Sequence, residues 1–319
     1  MKCHSCLKPV ENTTSFCEQC SHELFEKKIQ SAVLPFVLTN YSEKIQKQLQ
    51  KNSLVGFQDK IFVKINGKWT IPEWGKVTHL IKIPKISQIS AYKLAQDMAA
   101  NEHLTMQLAK QVFQLPTAEC AFMYLEDKQA VYLTKLFDRK TAKDFAVLLD
   151  TTVQKNPDYK YDSSYEEIAE CITLYSEQKI IDLVFFYKLF IFNILTRNGD
   201  AHLRNFSMYY QNDTFCLTPA YDLLSTLLHL PDDRYLACYL YKNDSKKTKF
   251  DAISYKKLMT FGKKIGLTSD QISQILDFFS GQKSKVIELI ENSFLSENAK
   301  NKYKNLIQDG YKIIFQTKK

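Results

Sequence analysis

The stretch Ile180–Leu195 is the most apolar in the chain, and its polar interruptions are Asp182, Lys188 and Asn193. It falls short of the roughly 20 residues that a membrane span needs, and it carries charge. Such a segment is a helix buried inside a larger core. The flanking sequence predicts the helices to surround it. Helical patterns cover 142–150, 164–175, 179–196, 253–265, 269–278, 283–292 and 296–316, with a loop-rich stretch over 197–222. Before Arg139 the pattern is different. Phe57, Ile61, Val63 and Ile65 mark a strand, Asn66-Gly67 is a hairpin turn signal, and Trp69 and Ile71 continue beyond it. Val77–Ile83 and Ala130–Phe137 read as further strands, with a helix over 91–110 between them. The fold class expected is α+β: a small β-rich lobe, then a large helical lobe, as in a bilobal protein-kinase-like fold.

Composition agrees with a folded chain. Of 319 residues, 45% are hydrophobic and 24% charged, with eight Gly and eight Pro, which excludes a collagen-like or disordered tract. Phe and Tyr are plentiful enough to fill much of the core. The net charge of +8 suits a nucleic-acid binder, a nucleotide-handling protein or one with acidic partners. The lysine runs at 246–249 and 300–304 read as solvated faces. The opening Met-Lys-Cys-His-Ser-Cys lacks the apolar segment of a signal peptide, so the expected compartment is the cytoplasm, with no membrane partner.

Cys3, Cys6, Cys17 and Cys20 form C-x2-C, ten residues, C-x2-C. Each short knuckle aims two sulfurs at one point, so two knuckles can close a tetrahedral Zn²⁺ site. His4 and His22 lie nearby as substitute ligands. A pair of disulfides is the alternative, which a cytosolic chain disfavours. A site this small is structural. The chain therefore divides into a zinc-ribbon-like segment (1–25), a linker with a polar helix (26–50), a β-rich lobe (51–139) and a helical lobe (140–319). Cys120, Cys171, Cys216 and Cys238 stand in apolar contexts as buried small hydrophobes.

The loop after the apolar helix carries chemistry. Asp200 and Asn205 are separated by four residues. In phosphoryl transfer to a hydroxyl, an aspartate accepts the acceptor's proton while an asparagine on the same loop holds a metal ion. Asp222 supplies a second acidic metal ligand, after a predicted hairpin of Phe206–Tyr210 with Thr214–Leu217 around Asn212-Asp213. Upstream, Lys82 lies mid-strand between apolar neighbours, where its ammonium can reach phosphates. Glu102, in the next helix, is placed to hold it by a salt bridge. Ser53–Gln58 precedes a strand and can lay backbone N–H groups over phosphate. His202 orients the loop, and Arg204 pairs either with substrate phosphate or with a structural carboxylate. His79, His103 and His229 read as structural.

Asn198-Gly199-Asp200-Ala201-His202-Leu203-Arg204-Asn205-Phe206-Ser207 resembles the HipA-family signature N-x-D-x-H-x-K-N-F-S, with Arg204 for the usual lysine. Thr218–Asp222 resembles the family's T-P-x-Y-D metal motif, and Ser53–Lys60 its phosphate loop S-x-x-G-x-Q-[DE]-K. Thr78–Lys82 resembles its nucleotide-lysine strand, Asn101-Glu102 its N-E pair, and Leu136–Arg139 the R-F-D-R stretch. The likeness covers roughly 51–316. It implies a serine/threonine protein kinase using ATP and Mg²⁺, with Asp200, Asn205 and Asp222 catalytic and Asn205 and Asp222 holding magnesium. Ser53, Gly56, Gln58, Lys60, Lys82, Glu102, Lys135, Phe137 and His202 would line the nucleotide side. Many members are toxins of toxin–antitoxin loci. The implied target is a translation-related protein such as an aminoacyl-tRNA synthetase, and the implied partners are a HipB-like DNA-binding protein and a HipS-like N-subdomain protein. About fifty residues precede the loop, nearer the short HipT branch. The family's loop serine, a site of autophosphorylation, maps to Ser53; Val55 stands where that branch often has another serine.

Two rival readings are a small-molecule phosphotransferase on the same fold, and a zinc-ribbon interaction or nucleic-acid-binding protein with an inactive kinase body. Retention of Lys82, Asp200, Asn205 and Asp222 together argues against the second.

Overall fold

In the computed structural model, residues 1–35, 58–66, 68–70, 77–84, 94–137, 141–150 and 158–315 are described. Five antiparallel strands form one sheet in the order β2-β1-β3-β5-β4: β1 (Gln58–Asn66), β2 (Lys68–Thr70), β3 (His79–Pro84), β4 (Cys120–Tyr124) and β5 (Ala130–Lys135). The sheet belongs to a compact unit made of Met1–Gln107, Ala118–Phe137 and Glu291–Lys300.

Register fixes what each face does. Ile61 lies opposite Ile81, and Ile81 opposite Leu133. With Val63, Ile83, Ala121, Met123 and Val131 they share one buried core with Cys3, Phe16, Cys20, Leu24, Phe25, Ala32 and Leu34. The cysteine-rich segment is thus continuous with the core of the sheet. On the alternate positions Lys60 pairs with Lys82 and Lys82 with Tyr132. Side chains two apart in a strand share a face, so Gln58, Lys60 and Lys82 point the same way.

Strand β4 was absent from the sequence-based expectation. Cys-Ala-Phe-Met-Tyr shows no apolar/polar alternation because both its faces are covered. It is an edge strand, and the N-terminal segment covers its open side. Phe122 N–H donates to the His4 carbonyl (2.9 Å), Tyr124 N–H to the Ala32 carbonyl (2.9 Å), and Leu34 N–H to the Tyr124 carbonyl (2.7 Å). An edge so paired offers no template for another chain.

Between β3 and β4 lies α2 (Met98–Gln107), preceded by a 3₁₀ turn at Ala95–Asp97 and followed by a π-type turn at Leu108–Val112. Every residue of α2 is buried, so it shows no polar stripe. The short α1 (Glu18–Phe25) carries Cys20 and ends at Glu26 in the left-handed conformation (φ 60°).

The second unit comprises Leu108–Thr117, Asp138–Ile290 and Asn301–Lys319. Its helices are α3 (Phe145–Leu148), α4 (Tyr165–Tyr175), α5 (Lys179–Leu195), α6 (Thr226–His229), α7 (Tyr255–Lys264), α8 (Ser269–Ser280), α9 (Lys283–Glu291) and α10 (Glu297–Phe315), the last beginning in the first unit. Capping boxes start two of them: Ser164 with Glu167, and Thr268 with Gln271. The apolar α5 is buried as its composition requires, and Asp182 is satisfied there by Ser176 Oγ (2.7 Å) and Leu217 N–H (2.8 Å). Among the described residues no helix is long and apolar enough to cross a membrane.

The predicted helix over 142–150 is instead a two-residue strand, β6 (Lys143–Asp144), followed by the short α3. Asp144 is extended because it caps that helix, accepting from Val147 N–H at 3.0 Å. Strand β6 pairs with β7 (Ser207–Gln211), which pairs with β8 (Thr214–Leu217). Asn212 and Asp213 both have positive φ (48° and 62°), the backbone of a tight hairpin turn.

Candidate active site

The candidate residues fall in two groups, one in each unit. In the first, Lys82 Nζ lies 2.6 Å from Glu102 Oε1, and both side chains are buried. The Lys82 ammonium also lies 5.6 Å from the Tyr132 ring centroid, on the ring's face. An ion pair this dry adds little stability, since desolvation offsets most of the attraction. Its use is to hold one ammonium at one place on the face shared with Gln58 and Lys60.

Lys135, expected on the nucleotide side, is engaged with α1. Its ammonium donates to the Glu23 carbonyl (3.0 Å) and to Glu26 Oε1 (3.0 Å), at the C-terminal end of α1. A cation there answers the exposed carbonyls and the helix dipole, so Lys135 joins the sheet to α1. Phe137 is half-buried just beyond β5. Ser53 and Gly56, with residues 51–57 of the phosphate loop and the predicted linker helix 41–50, lie outside the described residues.

In the second unit, the loop 198–205 is built from its own side chains. Asn193, near the end of α5, accepts from Asn198 Nδ2 (2.9 Å); Asn198 Oδ1 accepts from Asp200 N–H (3.1 Å). Gly199 N–H donates to Thr226 Oγ1 at 2.8 Å. A β-carbon at Gly199 would meet the Asp233 carboxyl, which packs against the glycine. Asn205 Nδ2 donates to the Asp200 carbonyl (2.7 Å), and Tyr165 Oη to the Ala201 carbonyl (2.9 Å). With its NH₂ so used, the Asn205 amide keeps its oxygen as an acceptor.

The Asp200 carboxylate is half-exposed, and His202 Nε2 lies 3.8 Å from its Oδ1. Burial pushes the His202 imidazole below its usual range, with Asp200 and Asp222 pulling the other way. Asp222 has a left-handed backbone (φ 59°), and its segment is fixed by Ala220 N–H donating to the Pro116 carbonyl (2.8 Å) and by Tyr221 Oη donating to the Arg204 carbonyl (2.8 Å). Arg204 Nε lies 3.5 Å from Asp144 Oδ2, so a carboxylate partner is at hand within the same unit.

Motif reading missed the groups that complete this site. Tyr161 Oη donates to Asp200 Oδ1 at 2.6 Å, and Asp233 packs beside Gly199. Both come from segments far from the loop in sequence, and nothing in their local pattern marks them.

The four sulfurs of Cys3, Cys6, Cys17 and Cys20 lie within 4.8 Å of one another. Cys17 Sγ is 3.9 Å from Cys3 Sγ and 3.8 Å from Cys6 Sγ. A disulfide would need about 2.05 Å. Four thiolates around zinc, at about 2.3 Å each, sit about 3.8 Å apart. Hydrogen bonds from the Cys20 and Cys6 thiols hold Cys3 well below the thiol range, while the contact with Cys3 pushes Cys20 up.

An α+β fold with a lysine–glutamate pair beside a β-sheet, and an aspartate–asparagine loop followed by an acidic segment, defines the class of HipA-like kinase folds. The chain belongs to that family: the HipA-like C-terminal domain model matches residues 52–286. A Haemophilus influenzae protein named "Putative kinase" is 26% identical over 336 residues, covering 92% of each chain. The HipA toxin of Shewanella oneidensis, solved with HipB and its operator DNA, superposes with a TM-score of 0.63 at 20% identity over 83% of this chain, which spans 65% of that HipA chain. The Helicobacter pylori proinflammatory kinase CtkA gives 0.57 at 17% identity, over 82% of this chain and 90% of its own. The two structural likenesses concern the fold.

Proposed function

We propose that the chain is an ATP- and Mg²⁺-dependent serine/threonine protein kinase, the toxin of a toxin–antitoxin pair. The observation that carries this is the loop geometry: Asn205 ties itself to the Asp200 backbone through Nδ2, so the Asp200 carboxylate and the Asn205 amide oxygen are held on one rigid turn. Asp200 is the base that takes the acceptor's proton, and His202 braces it. The Asn205 oxygen and the Asp222 carboxylate are hard oxygen donors suited to magnesium. When bound, the ion neutralises charge on the phosphates. Lys82, held by Glu102, grips the α and β phosphates, with Gln58 and Lys60 on the same face. Rate enhancement comes from placement and charge.

One structural neighbour offers an analogy for the biology. Shewanella HipA is solved with HipB, and a HipB-like DNA-binding antitoxin fits this chain by analogy. The family resemblance supports a HipS-like second partner, a translation-related substrate such as an aminoacyl-tRNA synthetase, work in the cytoplasm, and self-inactivation by phosphate on Ser53. The cysteine cluster is read as a structural Zn²⁺ site. In a test with Mg²⁺-ATP, intact mass should show phosphate added to the parent and none to Asp200→Asn, whose turnover should fall about 10²–10⁴-fold. Fragmentation should place the phosphate on Ser53. Turnover near that of the parent in Asp200→Asn rejects the assignment.

A further inference from the structure

The 3₁₀ turn Tyr159–Tyr161 lies against the loop that carries the base. Tyr161 Oη donates to Asp200 Oδ1 at 2.6 Å, and Arg204 Nη1 donates to Tyr159 Oη at 3.3 Å. One tyrosine therefore holds each end of the segment 200–204. The Tyr161 ring meets the His202 ring edge-on at 5.1 Å. The ammonium groups of Lys160 and Lys247 lie 4.7 and 4.9 Å from its centroid. A phenol held by an imidazole, two ammonium groups and a carboxylate is a placed group, unlike a passing surface rotamer.

Its position has a chemical meaning. A general base works on a hydroxyl that donates to it at about 2.6–3.2 Å. The Tyr161 hydroxyl makes that bond in that range. It therefore occupies, at Asp200 Oδ1, a position that an acceptor's hydroxyl could take. We propose that Tyr161 is a built-in stand-in for the acceptor, which holds Asp200 Oδ1 against water until a substrate hydroxyl displaces it. Burial and the Asp200 charge both push the phenol's pKa up, so it stays a hydrogen-bond donor throughout the working pH range. For a kinase this guards ATP against loss to solvent, since water is the one acceptor always present.

The inference rests on Asp200 being the base. Its test uses water as the acceptor: phosphate release from Mg²⁺-ATP by the full chain, with no protein substrate added. Tyr161→Phe keeps the ring and removes only the hydroxyl. Basal hydrolysis should rise roughly tenfold, the scale of one lost hydrogen bond to a charged group, with ATP affinity unchanged. Tyr161→Leu should rise as well, which guards against a folding artefact peculiar to one variant. A fall in hydrolysis would mean that Tyr161 orients Asp200 for catalysis, and no change would mean that the bond is incidental. Either result overturns the proposal. Loss of activity in Asp200→Asn alongside a silent Tyr161→Phe sinks the stand-in alone, whereas an active Asp200→Asn sinks the base reading beneath it.

Discussion

Asp222 shows how much one residue can carry. Its backbone is left-handed, a conformation that aspartate and asparagine tolerate far better than branched residues do. Asp222→Asn therefore removes charge while keeping the turn. It should weaken Mg²⁺-ATP binding about tenfold or more in calorimetric titration with little change in melting temperature; unchanged affinity would remove Asp222 from the metal set. His79 makes a different kind of prediction. Its ring is buried between α1 and the sheet, with Nε2 2.7 Å from the Leu24 carbonyl. Burial pushes its pKa from 6.5 down to about 4. Between those values only the unfolded chain takes up the proton. His79 thus supports the fold fully above pH 6.5, and that support is lost as pH falls toward 4, by about 3 kcal/mol. Urea midpoints of the parent should drop across this window, and His79→Gln should flatten the drop.

At the scale of elements, the cysteine knuckle and α2 are joined. The carbonyl of Ser5, between Cys3 and Cys6, accepts from His103 Nε2 at 2.7 Å, and His103 follows Glu102 in α2. Metal in the knuckle should therefore steady the helix that aims Lys82. Freshly purified protein should contain one zinc per chain. Its removal by chelator should speed hydrogen exchange in 98–107 and weaken ATP binding severalfold; loss of zinc with no change in α2 exchange would uncouple the two. The sequence showed the elements unevenly. α5 and the Asn212-Asp213 hairpin were legible because their signals are local: an apolar run and a turn pair. β4 was not, because a strand covered on both faces loses its alternation. The loop around Asp200 was readable as a motif. Tyr161 and Asp233 were not, because tertiary packing alone brings them to it.

At the scale of the molecule, the compact units do not follow the order of the chain. Residues 291–300 belong with the N-terminal sheet. Phe294 stacks on Phe122 at 4.6 Å and packs on His4 at 4.7 Å and on His103 at 5.7 Å. Lys2 Nζ donates to the Asn292 and Ser293 carbonyls (2.7 and 2.8 Å), and Asp97 accepts from Ser296 N–H and Oγ (2.6 and 2.8 Å). Phe294→Ala should cost about 2 kcal/mol of stability, read by chemical denaturation, and it should loosen 98–107 in hydrogen exchange; an unaltered midpoint would show the ring to be dispensable. This arrangement also bears on how the protein is made. A ribosome adds about 5–20 residues per second, so Phe294 leaves it on the order of ten seconds or more after β5. Throughout that interval the unit holding Lys82 and Glu102 lacks a piece of its own core. A nascent chain, or one cut short before residue 291, cannot complete that unit. Under the proposed toxin reading, a cell making this protein meets the assembled nucleotide-lysine unit only after residues 291–300 have been added, long after β5 has emerged.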